Sequence, residues 1–132
     1  MPAASDADVI RRGYEAFSRG DMDALRNEVF GTDIQWHQGG KNQTSGDYNG
    51  VDAVLGLFQK FFQLTDGTFR AEVHDLLAND QHVVVLGAIS GQRAGQSVSN
   101  GNYCQVFHMR GGRAAECWVT PVDTYGLDEF FG

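Results

Sequence analysis

Cysteine is scarce in this chain of 132 residues, which has only two. Cys104 and Cys117 are too few and too far apart for a C-x-x-C site or a disulfide framework, and are expected as reduced thiols in strands. Positive charge is also short. Ten Lys and Arg stand against seventeen Asp and Glu, for a formal charge of −7, and no basic cluster exceeds the pair Arg11–Arg12. A sequence-independent grip on phosphates needs a basic face, so neither nucleic acid nor an anionic membrane surface is an expected partner. No stretch approaches the roughly 20 apolar residues of a bilayer span. The N-terminus Met1-Pro2-Ala3-Ala4-Ser5-Asp6 lacks the basic start and apolar stretch of a secretory leader, so a soluble, cytoplasmic protein is expected. There is no Gly-rich phosphate loop or nucleophile elbow. His74, His82 and His108 fall on separate strands without ligand spacing, so neither a metal nor a cofactor is expected.

What is present is core-forming material. With 42% hydrophobic and 11% aromatic residues, the chain is expected to fold as one domain over residues 1–132. Ser5 followed by Asp8 has the outline of a capping box. Behind it Val9, Ile10, Tyr14 and Phe17 recur at helical spacing up to Gly20. Asp21 caps a second, shorter helix to about Val29, carried by Met22, Leu25 and Val29. Ile34 to Gln38 changes to a period of two, a short strand. Gly39 to Gly50, with four Gly among Asn, Ser, Thr and Asp, reads as a long loop of the kind that covers or shapes something. Val51, Val54, Leu55, Phe58, Phe61 and Phe62 then mark a third helix.

The remainder is read as β: Phe69 to Leu76, His82 to Ile89, Ser97 to Met109 and Ala114 to Val122, before a helical turn at Leu127 to Phe131. Short turns between these strands impose antiparallel neighbours. The expected fold is α+β, three N-terminal helices packed on a strongly curved antiparallel sheet. The helices roof the sheet into a cone-shaped α+β barrel with an apolar interior, a natural small-molecule pocket.

The motifs Tyr14-Glu15-Ala16-Phe17, Arg19-Gly20-Asp21-Met22-Asp23-Ala24-Leu25, Asp33-Ile34-Gln35-Trp36-His37 and Ser45 to Val54, with the turn Gly111-Gly112-Arg113 before Trp118, run in this order along nearly the whole chain. In that order the sequence resembles the SnoaL-like and ketosteroid isomerase-related group of the nuclear transport factor 2-like superfamily. The resemblance implies the cone fold and a pocket, but it covers isomerases, cyclases, hydrolases and non-catalytic binders alike. A ketosteroid isomerase needs a carboxylate base with a tyrosine and a protonated acid as oxyanion donors. Counting from the shared motifs, the tyrosine position falls on Gly13, with Tyr14 about 100° further round the helix. The base position falls on Gln38 and the acid position on Gln105. The acid/base aspartate of SnoaL-type cyclases falls on Val119.

The same alignment aims Trp36, Gln38, Tyr103, Gln105, Phe107, Cys117 and Val119 into the cone as ligand-binding residues, with Tyr48 as a lid residue in the long loop or packed beneath it. Buried amides such as Gln38 and Gln105 must be satisfied by each other, water or ligand. His37 has the side chain best suited to proton transfer near neutral pH. Strict alternation points it to the convex face, whereas a bulge at Gly39-Gly40 turns it inward to pair with Asp123 or Asp47 as a general base. Asp123 either reaches the pocket mouth through a bulge at Pro121 or caps the last helix. Trp118, opposite in parity to Cys117, is placed on the convex face, where it suggests a homodimer through the sheet. Two functions follow. The first is a cofactor-independent enzyme acting on a hydrophobic polyketide-like or cyclic molecule, with His37 and Asp123 as its catalytic pair. The alternative is a binding or sequestering module of the same fold.

Overall fold

The computed structural model describes residues 3–132, and side chains from residue 6. Helix α1 spans Ala3–Arg19, so its backbone is already helical ahead of Ser5. The capping contact expected of the Ser5 side chain lies outside the described residues. Val9, Ile10 and Ala16 are buried on the inner stripe of α1. After Gly20, at a φ of 70°, Asp21 caps α2 (Met22–Ala24) by accepting the Ala24 N–H at 3.1 Å. The second helix is not uniformly α-helical. From Leu25–Val29 the chain runs as a π-helical turn, closed by the Phe30 N–H donating to the Leu25 carbonyl.

Six strands form one sheet: β1 (Phe30–Gln38), β2 (Gly46–Asn49), β3 (Arg70–Ala78), β4 (His82–Arg93), β5 (Gln96–Arg110) and β6 (Arg113–Pro121). Helix α3 covers Val51–Leu64, and α4 covers Thr124–Phe131. The spatial order is β2-β1-β6-β5-β4-β3. Three expectations are corrected here. The sheet is mixed, because β1 runs parallel to β6. A pairing across most of the chain is invisible to rules about adjacent turns. The loop from Gly39 to Gly50 contains β2, which pairs antiparallel with β1 and sets Trp36 opposite Tyr48. Finally, β1 and β2 precede α3, so the helices are not grouped as three at the start.

Register irregularities interrupt β1 between Phe30 and Gln35, β3 between Val73 and Asp75, and the β4–β5 ladder between Ile89 and Gly91. Each extra residue bends its strand and increases the local twist. Helix α1 lies against β3 and β4, and α3 against β1 and β2. Between these layers sits an aromatic core. Phe17 contacts Phe58, Phe62 and Phe69 with ring centroids 5.1–6.0 Å apart, and Phe61 stacks on Phe69 at 4.7 Å. Offset and edge-on pairs of this kind add about 0.5–1.5 kcal/mol each beyond their buried area.

The outer face of the sheet carries the alternate residues. Trp118 is 38% exposed there, while its neighbour Cys117 is fully buried on the inner face. Leu86 and Leu77 are exposed as well. Among the described residues, no helix is long and apolar enough to cross a membrane.

Candidate functional site

Strand alternation, interrupted where the bulges fall, sends Trp36 and Gln38 from β1, Tyr103, Gln105 and Phe107 from β5, and Val119 from β6 to the inner face. They line a cavity of about 100 Å³. Its walls are aromatic: Trp36 stands edge-on to Phe58 at 5.2 Å and to Phe107 at 6.0 Å. Cys117 is fully buried behind Gln105, and its thiol accepts a hydrogen bond from Gln105 Nε2 at 3.4 Å. Tyr48 does not reach the cavity; its hydroxyl donates to the Thr44 carbonyl at 2.7 Å, beneath its own loop.

The polar part of the wall is a hydrogen-bonded cluster. Tyr14, from α1, places its hydroxyl 2.8 Å from that of Tyr103 and donates to Gln105 Oε1. On the other side Trp36 Nε1 donates to Gln38 Oε1 at 3.0 Å. Tyr14 was not among the residues that counting along the sequence put in the pocket, because the family's tyrosine position lands on Gly13. A Cβ at Gly13 would come within 3.0 Å of Val29 Cγ1. Position 13 is therefore where α1 packs closely on the π-helical turn, and Tyr14 beside it takes the cavity wall. The signal was present in the stripe Ile10-Tyr14-Phe17, all three of which line the cavity.

Burial raises the Tyr14 hydroxyl well above its ordinary range, and the neighbouring Tyr103 adds to the shift. Burial also pushes Tyr103 up to about 12, partly offset by its bond to Tyr14. The Cys117 thiol is raised by burial as well. All three groups are un-ionised at neutral pH. Among the described residues, the cavity wall holds no Asp, Glu, His, Lys or Arg.

His37 and Asp123 both lie elsewhere. His37 alternates to the outer face, where Nδ1 meets Asp47 Oδ1 and Nε2 meets Glu116 Oε2, each at 2.7 Å, and its ring stacks on Trp118. The chain beyond Gly39 does not turn it inward, since the Gly39 N–H still bonds the Val119 carbonyl at 3.0 Å and prolongs the pairing with β6. Hydrogen bonds donated by the imidazole to the Asp47 and then the Glu116 carboxylate raise it above its usual value. Asp123 is exposed and caps α4, its Oδ1 accepting the Gly126 N–H at 2.9 Å. The proposed proton-transfer pair is thus not assembled at the cavity. Among the described residues, no three His, Cys, Asp or Glu side chains are grouped to hold a metal ion.

The segment after β1 forms part of the cavity wall. Gly39, Asn42 and Thr44 line it, together with Leu127 and Phe131 of α4. Asp128 Oδ1 accepts from the Lys41 N–H at 2.7 Å and from Asn42 Nδ2 at 2.9 Å. Gln43 Nε2 donates to the Phe131 carbonyl at 2.6 Å, and Lys60 Nζ to the Gln43 carbonyl at 2.6 Å. This loop is therefore tied to two helices at once.

Comparison with known proteins places this geometry in a family setting. Residues 10–117 match the SnoaL-like domain model. An "uncharacterized protein" of Mycobacterium tuberculosis is 32% identical over 97 residues, 73% of each chain. Bal32a, from a soil-derived mobile gene cassette, superposes with a TM-score of 0.94 at 32% identity over 98% of both chains. An NTF2-like protein from Burkholderia xenovorans gives a TM-score of 0.80 at 19% identity, covering 100% of this chain and 99% of its own, a likeness of fold alone.

Proposed function

From the premise that the chain belongs to the SnoaL-like domain family, we propose that it is a small-molecule binding protein whose cavity holds a compact hydrophobic ring bearing one polar group. The observation that carries this reading is the chemistry of the wall: aromatic side chains from α1, α3 and the sheet and a polar cluster made wholly of neutral side chains. Trp36, Phe58 and Phe107 offer edges and faces to a ring, and Tyr14, Tyr103 and Gln105 hold a hydroxyl or carbonyl substituent.

Size narrows the ligand. A cavity of roughly 150 Å³ accommodates benzene, so the space of about 100 Å³ here suits one ring, with the half-buried Gln38 and Val119 side chains yielding. Acid/base turnover by His37 and Asp123 is not part of the proposal. A general base must lie within hydrogen-bond reach of the proton it removes, and both of these side chains are engaged outside the cavity.

Calorimetric titration with small aromatic and alicyclic compounds tests the reading, using Val119→Trp to fill the cavity. Saturable binding to the wild type that the variant loses supports it. Binding to neither protein, or equal binding to both, overturns it.

The proposal extends to a second copy of the chain on the outer face, where Trp118, Leu86 and Leu77 are exposed. Sedimentation of the wild type and of Trp118→Glu tests this, with a dimer expected for the first and a monomer for the second. A monomeric wild type overturns it.

A further inference from the structure

The polar cluster has a direction, and that direction decides which ring compounds it prefers. Each tyrosine has a single hydroxyl hydrogen. That of Tyr14 goes to Gln105 Oε1, a carbonyl oxygen that only accepts. The 2.8 Å contact between the two hydroxyls must then use the hydrogen of Tyr103. Beyond Gln105 the amide continues in the same sense, with Nε2 donating to Cys117 Sγ. Hydrogens therefore point along one path, from Tyr103 to Tyr14 to Gln105 to Cys117.

The head of this path is the Tyr103 oxygen. It has given its hydrogen away, bonds no other group among the described residues, and stands in the cavity wall. Its place is set by Gly87 on the neighbouring strand, where a Cβ would lie 2.6 Å from that oxygen. A hydroxyl that donates to a further donor is also polarised into a better acceptor.

We propose that the cavity selects ligands that donate a hydrogen bond, namely an un-ionised phenol or alcohol, over ketones, aldehydes, ethers and hydrocarbons of the same size, with the Tyr103 oxygen as acceptor. This deepens the binding reading given above and rests on it. A carbonyl ligand brings lone pairs against lone pairs here. To receive one, both hydroxyls must rotate and the Gln105 amide must turn over.

The test is calorimetry at pH 7 with phenol, anisole, benzaldehyde and toluene, on the wild type, Tyr103→Phe and Tyr14→Phe. The informative quantity is each probe's affinity relative to toluene, which cancels the shared ring contacts. The phenol ratio is expected to fall about two- to tenfold in Tyr103→Phe, the range for one neutral hydrogen bond, with the anisole and benzaldehyde ratios unchanged. In Tyr14→Phe the Tyr103 hydrogen is released toward the cavity, so the preference is expected to move from phenol to benzaldehyde. This second variant decides the matter even where Tyr103→Phe fails to fold. An unchanged phenol ratio in a folded Tyr103→Phe, a wild type that favours benzaldehyde, or a Tyr14→Phe that still favours phenol overturns the proposal while leaving the binding reading intact. Binding of no probe by the wild type overturns both.

Discussion

The hydroxyls of Tyr14 and Tyr103 meet at 2.8 Å across 89 residues of chain, one from the first helix and one from the fifth strand. Their contact joins the helical layer to the sheet inside the cavity, and the direction of the bond makes the two residues unequal. Tyr14→Phe strips the partner from Gln105 Oε1, on a residue only 5% exposed, and is expected to cost about 1–3 kcal/mol of stability. Tyr103→Phe removes a donor but leaves no carbonyl unpaired, and is expected to cost less, about 0.5–1.5 kcal/mol. Urea denaturation of both variants checks the order.

Gly87 is expected to be intolerant of a side chain. The Cβ of alanine would lie 2.6 Å from the Tyr103 oxygen and 2.8 Å from the Glu72 carbonyl, a backbone atom that moves only with its strand. Overpacking of this sort costs about 1–3 kcal/mol. Gly87→Ala should therefore lower the denaturation midpoint and weaken phenol binding together.

Gly87 also marks a limit of sequence reading. Its place in the strand read from His82 to Ile89 was legible, but the need for a missing side chain depends on Tyr103, which lies directly across the ladder. Helices with a clear apolar stripe, α1 and α3, and the long strands β4 and β5 were legible because their periodicity is a local property. Strand β2 was not, since Gly46-Asp47-Tyr48-Asn49 has the composition of a turn and is extended only because β1 pairs with it. The parallel contact between β1 and β6 is likewise a property of the assembled sheet. At the site, alternation groups Trp36 with Gln38, and Tyr103 with Gln105 and Phe107, on shared strand faces, and the family resemblance aims those faces and Val119 into the cavity; Cys117, aimed there as well, lies behind Gln105 instead. Alternation also put His37 on the opposite face unless a bulge intervened. Tyr14 was not legible from the family's motif because the matching position falls on Gly13, one residue away; the apolar stripe of α1 carries it.

The His37 cluster predicts a pH dependence of stability. Its imidazole is raised by Asp47 and Glu116 in the folded state, against an ordinary value near 6.5 in the unfolded chain. The contribution is fully present below about pH 6.5 and is lost as pH rises through the higher folded value. The denaturation midpoint of the wild type minus that of His37→Gln should therefore shrink from pH 5.5 to 8.5. A constant difference would exclude the cluster as its source. Binding at the cavity should show no such trend for un-ionised ligands, because the Tyr103 hydroxyl stays protonated until about pH 12.

Asp128 is expected to hold the loop after β1 in place beside the cavity. Its Oδ1 carries both the Lys41 N–H and the Asn42 side chain, and bonds to a charged acceptor contribute about 1.5–3 kcal/mol each. Asp128→Ala should speed amide exchange at Lys41 by at least about tenfold and hasten ligand entry, with a smaller change in affinity. Exchange at Lys41 as slow as in the wild type would remove Asp128 from that role.

The central claim is that a ring compound occupies the space beside Trp36, and fluorescence reads it directly. The chain has two tryptophans, and Trp118→Phe leaves Trp36 as the sole reporter in the cavity wall. Titrating phenol into this variant should change Trp36 emission along a saturable curve, and Val119→Trp in an otherwise wild-type chain should bind no phenol by calorimetry. Trp36 emission that stays flat, or drifts linearly to the solubility limit of the probe, contradicts the account.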